Sequence, residues 1–346
     1  MAGPIKIVHC GLGSIGQGVA RLILQTPGLK IVGATDPAPH MAGLDLGAVL
    51  GLGRRLRVKV DGDPARFIKK TRADVAVLAT ASSFKAIKPQ IADLLARRVN
   101  VVTTCEELAY PSPRNQSGFK QLDRLARRYK VSVLGTGVNP GYAMDSLALA
   151  LTAPCARVDR IAVTRVVDAG TRRLPLQRKV GAGLNLNQFR RAAGDGAVGH
   201  VGLSESAHLI AGALGWKLER IDEALEPAVA PRDLETDHLR IPAGAAAGIR
   251  QTLRAYRDGK LAISLELQMY VGAETPRDHI LIDGSPPINM TIDAGIDGDF
   301  ATAAVVVNSL PRLLDARAGL LTMLDLPLVH YFNPALLKGL PRKKTV

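Results

Sequence analysis

An α/β amino-terminal half built on a doubly wound parallel sheet, followed by a second α+β domain with a mixed or antiparallel sheet, is the fold class this 346-residue sequence predicts. Three observations predict it. Short runs of branched aliphatics alternate with helical patterns over residues 5–135, the signature of βαβ units. A glycine-rich turn stands directly after the first of those runs. Beyond residue 160 several strand patterns follow one another with few helices between them, as an α+β domain requires. Hydrophobic residues make up 47% of the chain and aromatics only 4%, so the core must come from Ala, Val, Leu and Ile, the residues that fill buried parallel strands.

The elements follow in order. Ile5 to Cys10 forms a strand that ends at Gly11, and a helix runs from Ser14 to about Thr26. Leu29 to Thr35 is the second strand, closed by Asp36. Val75 to Thr80 is the next, followed by a helix from about Phe84 to Arg97. Val99 to Thr104 leads into Cys105-Glu106-Glu107, and a helix from about Gln116 to Arg128 precedes the strand Val131 to Gly135. Right-handed crossovers make these strands parallel. In the second half Arg160 to Val167 reads as a strand and Leu203 to Leu214 as a helix. Leu261, Ile263, Leu265, Leu267 and Met269 alternate with Ala262, Ser264, Glu266 and Gln268, the period of a strand with one buried face. Ile280 to Ile282 and Ile288 to Ile292 are further strands around a turn-rich stretch. Phe300 to Ala318 reads as a long helix interrupted near Pro311 and stopped at Gly319. The expected division is a dinucleotide-binding domain at 1–142, a substrate and dimerisation domain at 143–298, and a helix and tail at 299–346 that packs back on the first domain.

Composition excludes several functions. The net charge is +14, but the basic clusters, such as Lys69-Lys70, Arg172-Arg173 and Arg342-Lys343-Lys344, are short and scattered. No aromatics are interleaved with them, so a solvated basic surface is expected rather than a nucleic-acid site. Cys10, Cys105 and Cys155 are widely spaced and form no CxxC, which argues against a disulfide scaffold or a zinc site and for a reducing compartment. His200 and His208 lie eight positions apart, which is no metal signature, and no metal is expected. The amino terminus carries no secretory pattern and no uncharged run reaches membrane length, so a soluble, cytoplasmic protein is expected.

Gly11-Leu12-Gly13-Ser14-Ile15-Gly16 fits GxGxxG between a strand and a helix, and Asp36 follows twenty positions after Gly16. This is the Rossmann dinucleotide pattern. Gly11 permits a tight turn, Gly13 lets the backbone approach a pyrophosphate, and Gly16 allows close helix–strand packing. The helix amino terminus offers N–H groups to the anion, and Asp36 can accept hydrogen bonds from the adenosine ribose. A carboxylate there favours NAD over NADP, unless Arg54, Arg55 or Arg57 folds nearby. Ligands sit at the carboxyl ends of parallel strands. That rule selects Thr80-Ala81-Ser82-Ser83 to back the nucleotide, Cys105-Glu106-Glu107 near the nicotinamide, and Gly137-Val138-Asn139-Pro140-Gly141.

Glu106 and Glu107 follow an apolar strand, and one of them can face the pocket as a general base. The alternatives are a solvated loop acid, or an acid that helps to start the next segment. Cys105 would be a nucleophile only if activated; with no histidine near in sequence it reads as a small cofactor-lining residue.

The chain resembles the 2,4-diaminopentanoate dehydrogenases and the related native amine dehydrogenases, and its first part is similar to the dihydrodipicolinate reductase nucleotide domain. The matching segments are Gly11 to Gly16, Thr103 to Leu108, Gly135 to Gly141, Gly199 to Ser206 and Gly298 to Ala304. The paired histidines and the lysine motif of the reductases are missing. The resemblance implies a homodimer, NAD or NADP as the cofactor, and a catalytic glutamate in the Glu-Glu pair, placed at Glu107 with Glu106 as the second choice. It also implies that Asn139, Met144 and Thr302 surround the nicotinamide and the substrate amine. The reaction so implied is reversible oxidative deamination of an amine, with ketone or aldehyde plus ammonia as the reverse substrates. Two rivals stand beside it: a dehydrogenase or reductase acting on an alcohol or semialdehyde, and a non-catalytic dinucleotide sensor. A diamino acid substrate would need a carboxylate anchor, for which Arg165, Arg172, Arg173 and Arg178 are candidates.

Overall fold

The computed structural model describes residues 3–70, 72–113 and 115–333. The basic tail Arg342-Lys343-Lys344 lies outside them. Two compact units divide the chain: Met1–Tyr142 together with Asp297–Val346, and Ala143–Ile296.

The first unit begins with β1 (Ile5–Cys10), α1 (Ser14–Gln25) and β2 (Leu29–Thr35). It continues through α2 (Leu46–Val49), β3 (Val60–Asp61), α3 (Pro64–Lys70), β4 (Val75–Leu78) and α4 (Phe84–Ala96). Then come β5 (Asn100–Thr103), a 3₁₀ turn at Glu106–Leu108, α5 (Gln116–Tyr129) and β6 (Ser132–Gly135). The second unit holds α6 (Ser146–Leu151), β7 (Arg157–Asp168), α7 (Leu174–Lys179), α8 (Leu186–Gly194) and α9 (Leu203–Ala213). These are followed by β8 (Arg220–Val229), β9 (Leu234–Glu235), β10 (Arg240–Ile241), β11 (Ala246–Arg257), β12 (Lys260–Tyr270), β13 (Arg277–Ser285) and β14 (Ile288–Asp293). The chain then returns to the first unit with α10 (Gly298–Asp315), β15 (Gly319–Leu321) and a 3₁₀ turn at Met323–Asp325.

The first sheet has the order β15-β6-β5-β4-β1-β2-β3, and every pairing is parallel. The central strands β4 and β6 are buried on both faces, so they read as unbroken apolar runs such as Val75-Ala76-Val77-Leu78. On one face Ile5 and Ile7 meet Val19, Ala20 and Ile23 of α1 and Val306 and Leu310 of α10. On the other, Val8 and Cys10 meet Ile87 and Ile91 of α4 and Leu122 of α5. Each Leu or Ile in these fully buried layers contributes about 2–5 kcal/mol relative to Ala. The chain goes from β1 outward in one direction to β2 and β3, and in the other to β4, β5 and β6. The gap between β1 and β4 is therefore the topological switch point, where a crevice opens at the carboxyl edge.

The second sheet has the order β14-β13-β7-β12-β11-β8. Only the β7–β12 pair is parallel, so the sheet is mixed, as expected. One register row, Leu253, Leu265, Val163 and Ile280, is buried in the core that α6, α8 and α9 complete. The adjacent row, Thr252, Glu266, Thr164 and His279, faces away and stays at least partly exposed.

Two expectations fail at the end of the chain. α10 is not interrupted at Pro311 but runs through it to Asp315. Val306, Val307, Leu310 and Leu313 are buried on both sides of the proline, and this packing holds the helix where local preference would break it. Gly319 does not stop a helix either. It opens β15, which adds a seventh parallel strand beside β6. Three residues carry no period, so only tertiary pairing reveals that strand. Likewise β11 escapes a periodicity search because polar Gln251 and small Ala255 occupy its buried positions.

Candidate active site

The crevice at the switch point is built from β1 outward. Gly11 has φ +91°, and a Cβ there would meet the Ala79 carbonyl oxygen at 2.3 Å, so β1 and β4 approach closely only because the residue is glycine. Gly16 has another reason than helix–strand packing alone: a Cβ would meet the Gly11 carbonyl oxygen at 2.0 Å and the ring of His9 at 3.3 Å. Gly13 is different, because a Cβ there would meet nothing within 4 Å. It is the N-cap of α1 and brings no side-chain cap, and the first turn carries no acid. The amides of that turn therefore open onto free space with a partial positive charge, which suits a pyrophosphate. Ser14 and Ile15 belong to this turn. Leu12 does not offer its amide outward: its N–H donates to Asp36 Oδ2 at 2.6 Å, and its side chain is buried. Gln17, which the sequence pattern did not single out, donates its side-chain N–H to the Leu12 carbonyl at 2.9 Å.

Asp36 stands at the end of β2, only 9% exposed. Its second oxygen accepts from Ala38 N at 2.9 Å, and its own N–H donates to the Asp61 carbonyl at 3.1 Å. The carboxylate is fixed beside the glycine turn. Arg54, Arg55 and Arg57 are exposed in the loop before β3.

On the other side of the crevice two of the three loops predicted from the strand ends, Thr80 to Ser83 and Cys105 to Glu107, are stitched together. Glu107 Oε2 accepts the Phe84 N–H at 2.6 Å. Ser83, the N-cap of α4, supplies no side-chain bond, so the carboxylate of a neighbouring loop caps the helix instead. Glu107 is partly exposed, as is Glu106. Its own N–H donates to the Ser82 carbonyl at 3.4 Å. The same Ser82 carbonyl accepts from Cys105 Sγ at 3.0 Å, and Thr80 Oγ1 donates to Gln90 Oε1 at 3.1 Å. Ala81 lies between these anchored residues. Burial, then the negative charge of Glu106, pushes the Cys105 thiol up to about 12. A protonated, hydrogen-bonded thiol is no nucleophile, so thiohemiacetal chemistry has no attacking group at Cys105.

The third loop follows β6. Gly135 is obligatory, because a Cβ would sit 2.5 Å from the Leu108 backbone and would push the Glu106–Leu108 turn off the sheet. The Asn139-Pro140 peptide is cis. Val138 N donates to Thr302 Oγ1 on α10 at 3.3 Å. The structure thus brings Thr302, Asn139 and Pro140 onto one side of the first unit. Met144 belongs to the second unit, where it is fully buried in the apolar core.

Within the second unit the Gly199 to Ser206 segment is fixed by residues that no motif singled out. Gln251 Oε1 accepts from His200 N at 2.9 Å, and its Nε2 donates to the His200 carbonyl at 2.9 Å and to Glu223 at 2.8 Å. Ser206 Oγ donates to Asp145 Oδ2 at 2.7 Å, with both residues buried. Arg165, a candidate carboxylate anchor, is committed elsewhere. It is 3% exposed and pairs with Asp278 at 2.7 and 2.8 Å, and it also bonds the Ile296 carbonyl. Arg172 and Arg173 are partly exposed and Arg178 is exposed.

A parallel sheet with a glycine turn at its switch point and a fixed acid after β2 defines a dinucleotide-dependent oxidoreductase of the Rossmann type. Comparison with known proteins narrows the class. Residues 142–338 match the 2,4-diaminopentanoate dehydrogenase C-terminal domain model, and residues 5–105 match that of the dihydrodipicolinate reductase N-terminus. Over 331 residues, 93% of each chain, the sequence is 34% identical to the 2,4-diaminopentanoate dehydrogenase of Acetoanaerobium sticklandii. The chain belongs to the 2,4-diaminopentanoate dehydrogenase family, which bears out the resemblance read from its motifs. Among solved structures, the amine dehydrogenase from Mycobacterium smegmatis matches with a TM-score of 0.85 at 24% identity, over 95% of this chain and 98% of that one. The scyllo-inositol dehydrogenase from Lactobacillus casei, solved with NAD(H) and scyllo-inositol, matches with a TM-score of 0.54 at 14% identity, over 93% and 92%. Both share the fold.

Proposed function

We propose that this protein catalyses the reversible, dinucleotide-dependent oxidative deamination of a small amine. The observation that carries the reading is the carboxylate of Glu107, fixed by Phe84 N at the carboxyl edge of the parallel sheet. The family relationship supports the amine as donor. A bound nicotinamide would supply the hydride acceptor. Gly13, Ser14 and Ile15 would hold the pyrophosphate through backbone amides, Asp36 would hold the adenosine ribose, and Thr80 to Ser82 would back the nucleotide.

Glu107 has two tasks in this reading. It takes a proton from the substrate ammonium, so that the nitrogen lone pair can form the imine. Having passed that proton to solvent, it takes one from the water that adds to the iminium carbon and returns it to the amino group, which leaves as ammonia while the hydroxyl proton is released and the carbonyl forms. The balance is protonated amine, water and oxidised cofactor on one side, and carbonyl, ammonium, reduced cofactor and one proton on the other. Asn139 and Thr302 would line the site, and Glu106 is the reserve base.

NAD is the preferred cofactor in this reading. Asp36 cannot turn away from a 2′-phosphate, because both its oxygens are tied to backbone amides. The exposed row Thr252, Glu266, Thr164 and His279 gives the second sheet an uncovered face, and we assign the homodimer contact to it. Light scattering of the purified chain tests that assignment; a monomer at micromolar concentration refutes it.

The reaction itself is tested with a panel of amines, and of ketone or aldehyde plus ammonia, followed by nicotinamide absorbance. Ammonia-dependent oxidation of NADH is expected. Carbonyl-dependent oxidation without ammonia would assign an alcohol or semialdehyde substrate instead, and NADH binding with no turnover on any pair would leave a sensor.

A further inference from the structure

One polar side chain in the first unit lies deep in the core beneath the cofactor turn. On β1, Ile5 and Ile7 belong to the apolar cluster under α1 and α10, and the two-residue period continues that face to His9. His9 has no solvent exposure. Neither ring nitrogen makes an aligned hydrogen bond, although the backbone of Gly16 and Gly11 lies close enough to favour the protonated ring. Burial outweighs that influence and holds the imidazole at about 4, so the ring is neutral near pH 7, with one N–H donor and one acceptor. An aliphatic residue would fill this place at lower desolvation cost, and a buried polar group of this kind calls for a use.

Geometry suggests the use. Gly16 lies over the ring: its missing Cβ leaves room for both the Gly11 carbonyl and His9 Nε2. The imidazole therefore packs against the glycine turn that leads into the uncapped first turn of α1. We propose that His9 is a positioning residue for the dinucleotide: its imidazole packs against Gly16 beside the Gly11 carbonyl and keeps the amides of the first α1 turn directed at the pyrophosphate. The proposal rests on the cofactor reading above and is independent of which amine is oxidised.

The test is a fluorescence titration of NADH into the full-length protein. H9L removes both nitrogens at similar bulk, H9F keeps a flat ring without nitrogens, and H9Q retains a donor and an acceptor. The Kd for NADH should rise about tenfold in H9L and H9F, which remove the polar contact between ring and turn, and return to within about threefold of the parent in H9Q. The kcat at saturating cofactor should stay within about twofold in all three, because the loss is in binding. A parent-like Kd in folded H9L and H9F would overturn the proposal. So would an H9Q as weak as H9L, since the ring would then act by shape. If H9L does not fold, H9F and H9Q carry the comparison, and loss of fold in all three would make His9 a packing residue only. Failure of the parent protein to bind NADH would sink the cofactor reading instead, an outcome distinct from any ratio among variants.

Discussion

Two carboxylates stand at the same edge of the parallel sheet and are held differently. Asp36 is 9% exposed, and backbone amides engage both its oxygens. Glu107 is partly exposed, and one of its oxygens accepts one backbone amide. A group gripped at both oxygens recognises a fixed partner without moving. A group gripped at one keeps its position and leaves the other oxygen to exchange protons. In the proposed reading the same edge would thus separate recognition from chemistry by the number of backbone amides it spends on each acid.

The largest expected effect breaks the chemical side. E107Q keeps an oxygen for Phe84 N but loses the proton acceptor, so kcat for deamination should fall by about a thousandfold, while NADH binding and Tm change little. Steady-state kinetics and a thermal melt check both halves. Parent-like activity in E107Q would move the proton to Glu106, with E106Q as the matching measurement.

A buried ion pair should show what a charge costs when it has no water to turn to. Arg165 and Asp278 are 3% and 0% exposed, so R165L or D278L leaves one charge stranded and should destabilise the protein by about 3–5 kcal/mol in urea unfolding. The double variant R165L/D278L should recover much of that loss.

His9 sharpens the comparison through pH. Its folded value of about 4 lies below the ordinary 6.5, so between those values the unfolded chain binds a proton that the folded chain refuses. Its contribution is fully present above about pH 6.5 and is lost as pH falls toward 4, a total on the order of 3 kcal/mol. Stability measured across that window should flatten in H9L by about this amount.

D36A tests the recognition side. Removing a carboxylate that accepts charge-assisted hydrogen bonds should raise KM for NAD by about ten- to a hundredfold and narrow the preference over NADP. If NADP is used equally well by the parent protein, Asp36 does not set the preference. The smallest effect belongs to Cys105: C105S should keep activity within about twofold, because the thiol stays protonated and only donates to the Ser82 carbonyl. A large loss of kcat in C105S would return the thiol to the mechanism.

The adenosine side of the crevice was legible in the sequence because its parts are local. Strand, glycine turn, helix and the acid after the next strand occupy Ile5 to Asp36, and each residue type answers a backbone or charge requirement that short spacing exposes. The Glu-Glu pair was legible as a candidate, but the segment it serves was not: an acid there was expected to start the next segment, and Glu107 instead caps the earlier helix α4, whose first amide is 23 positions back. The surroundings of Met144 and Arg165 were not legible: Met144 lies in the apolar cluster of the second unit, and Arg165 pairs with Asp278.

By itself the sequence determined the two-part fold class, the dinucleotide turn and the family, since these rest on periodicity and on motifs within a few dozen residues. Tertiary structure alone decided that Val138 bonds Thr302 across 164 positions, that Gln251 clamps His200, and that β15 joins the first sheet. The reason is physical: such partners are chosen by strand order and by which buried polar groups lie within reach of one another, and neither is written in the propensities of the residues involved.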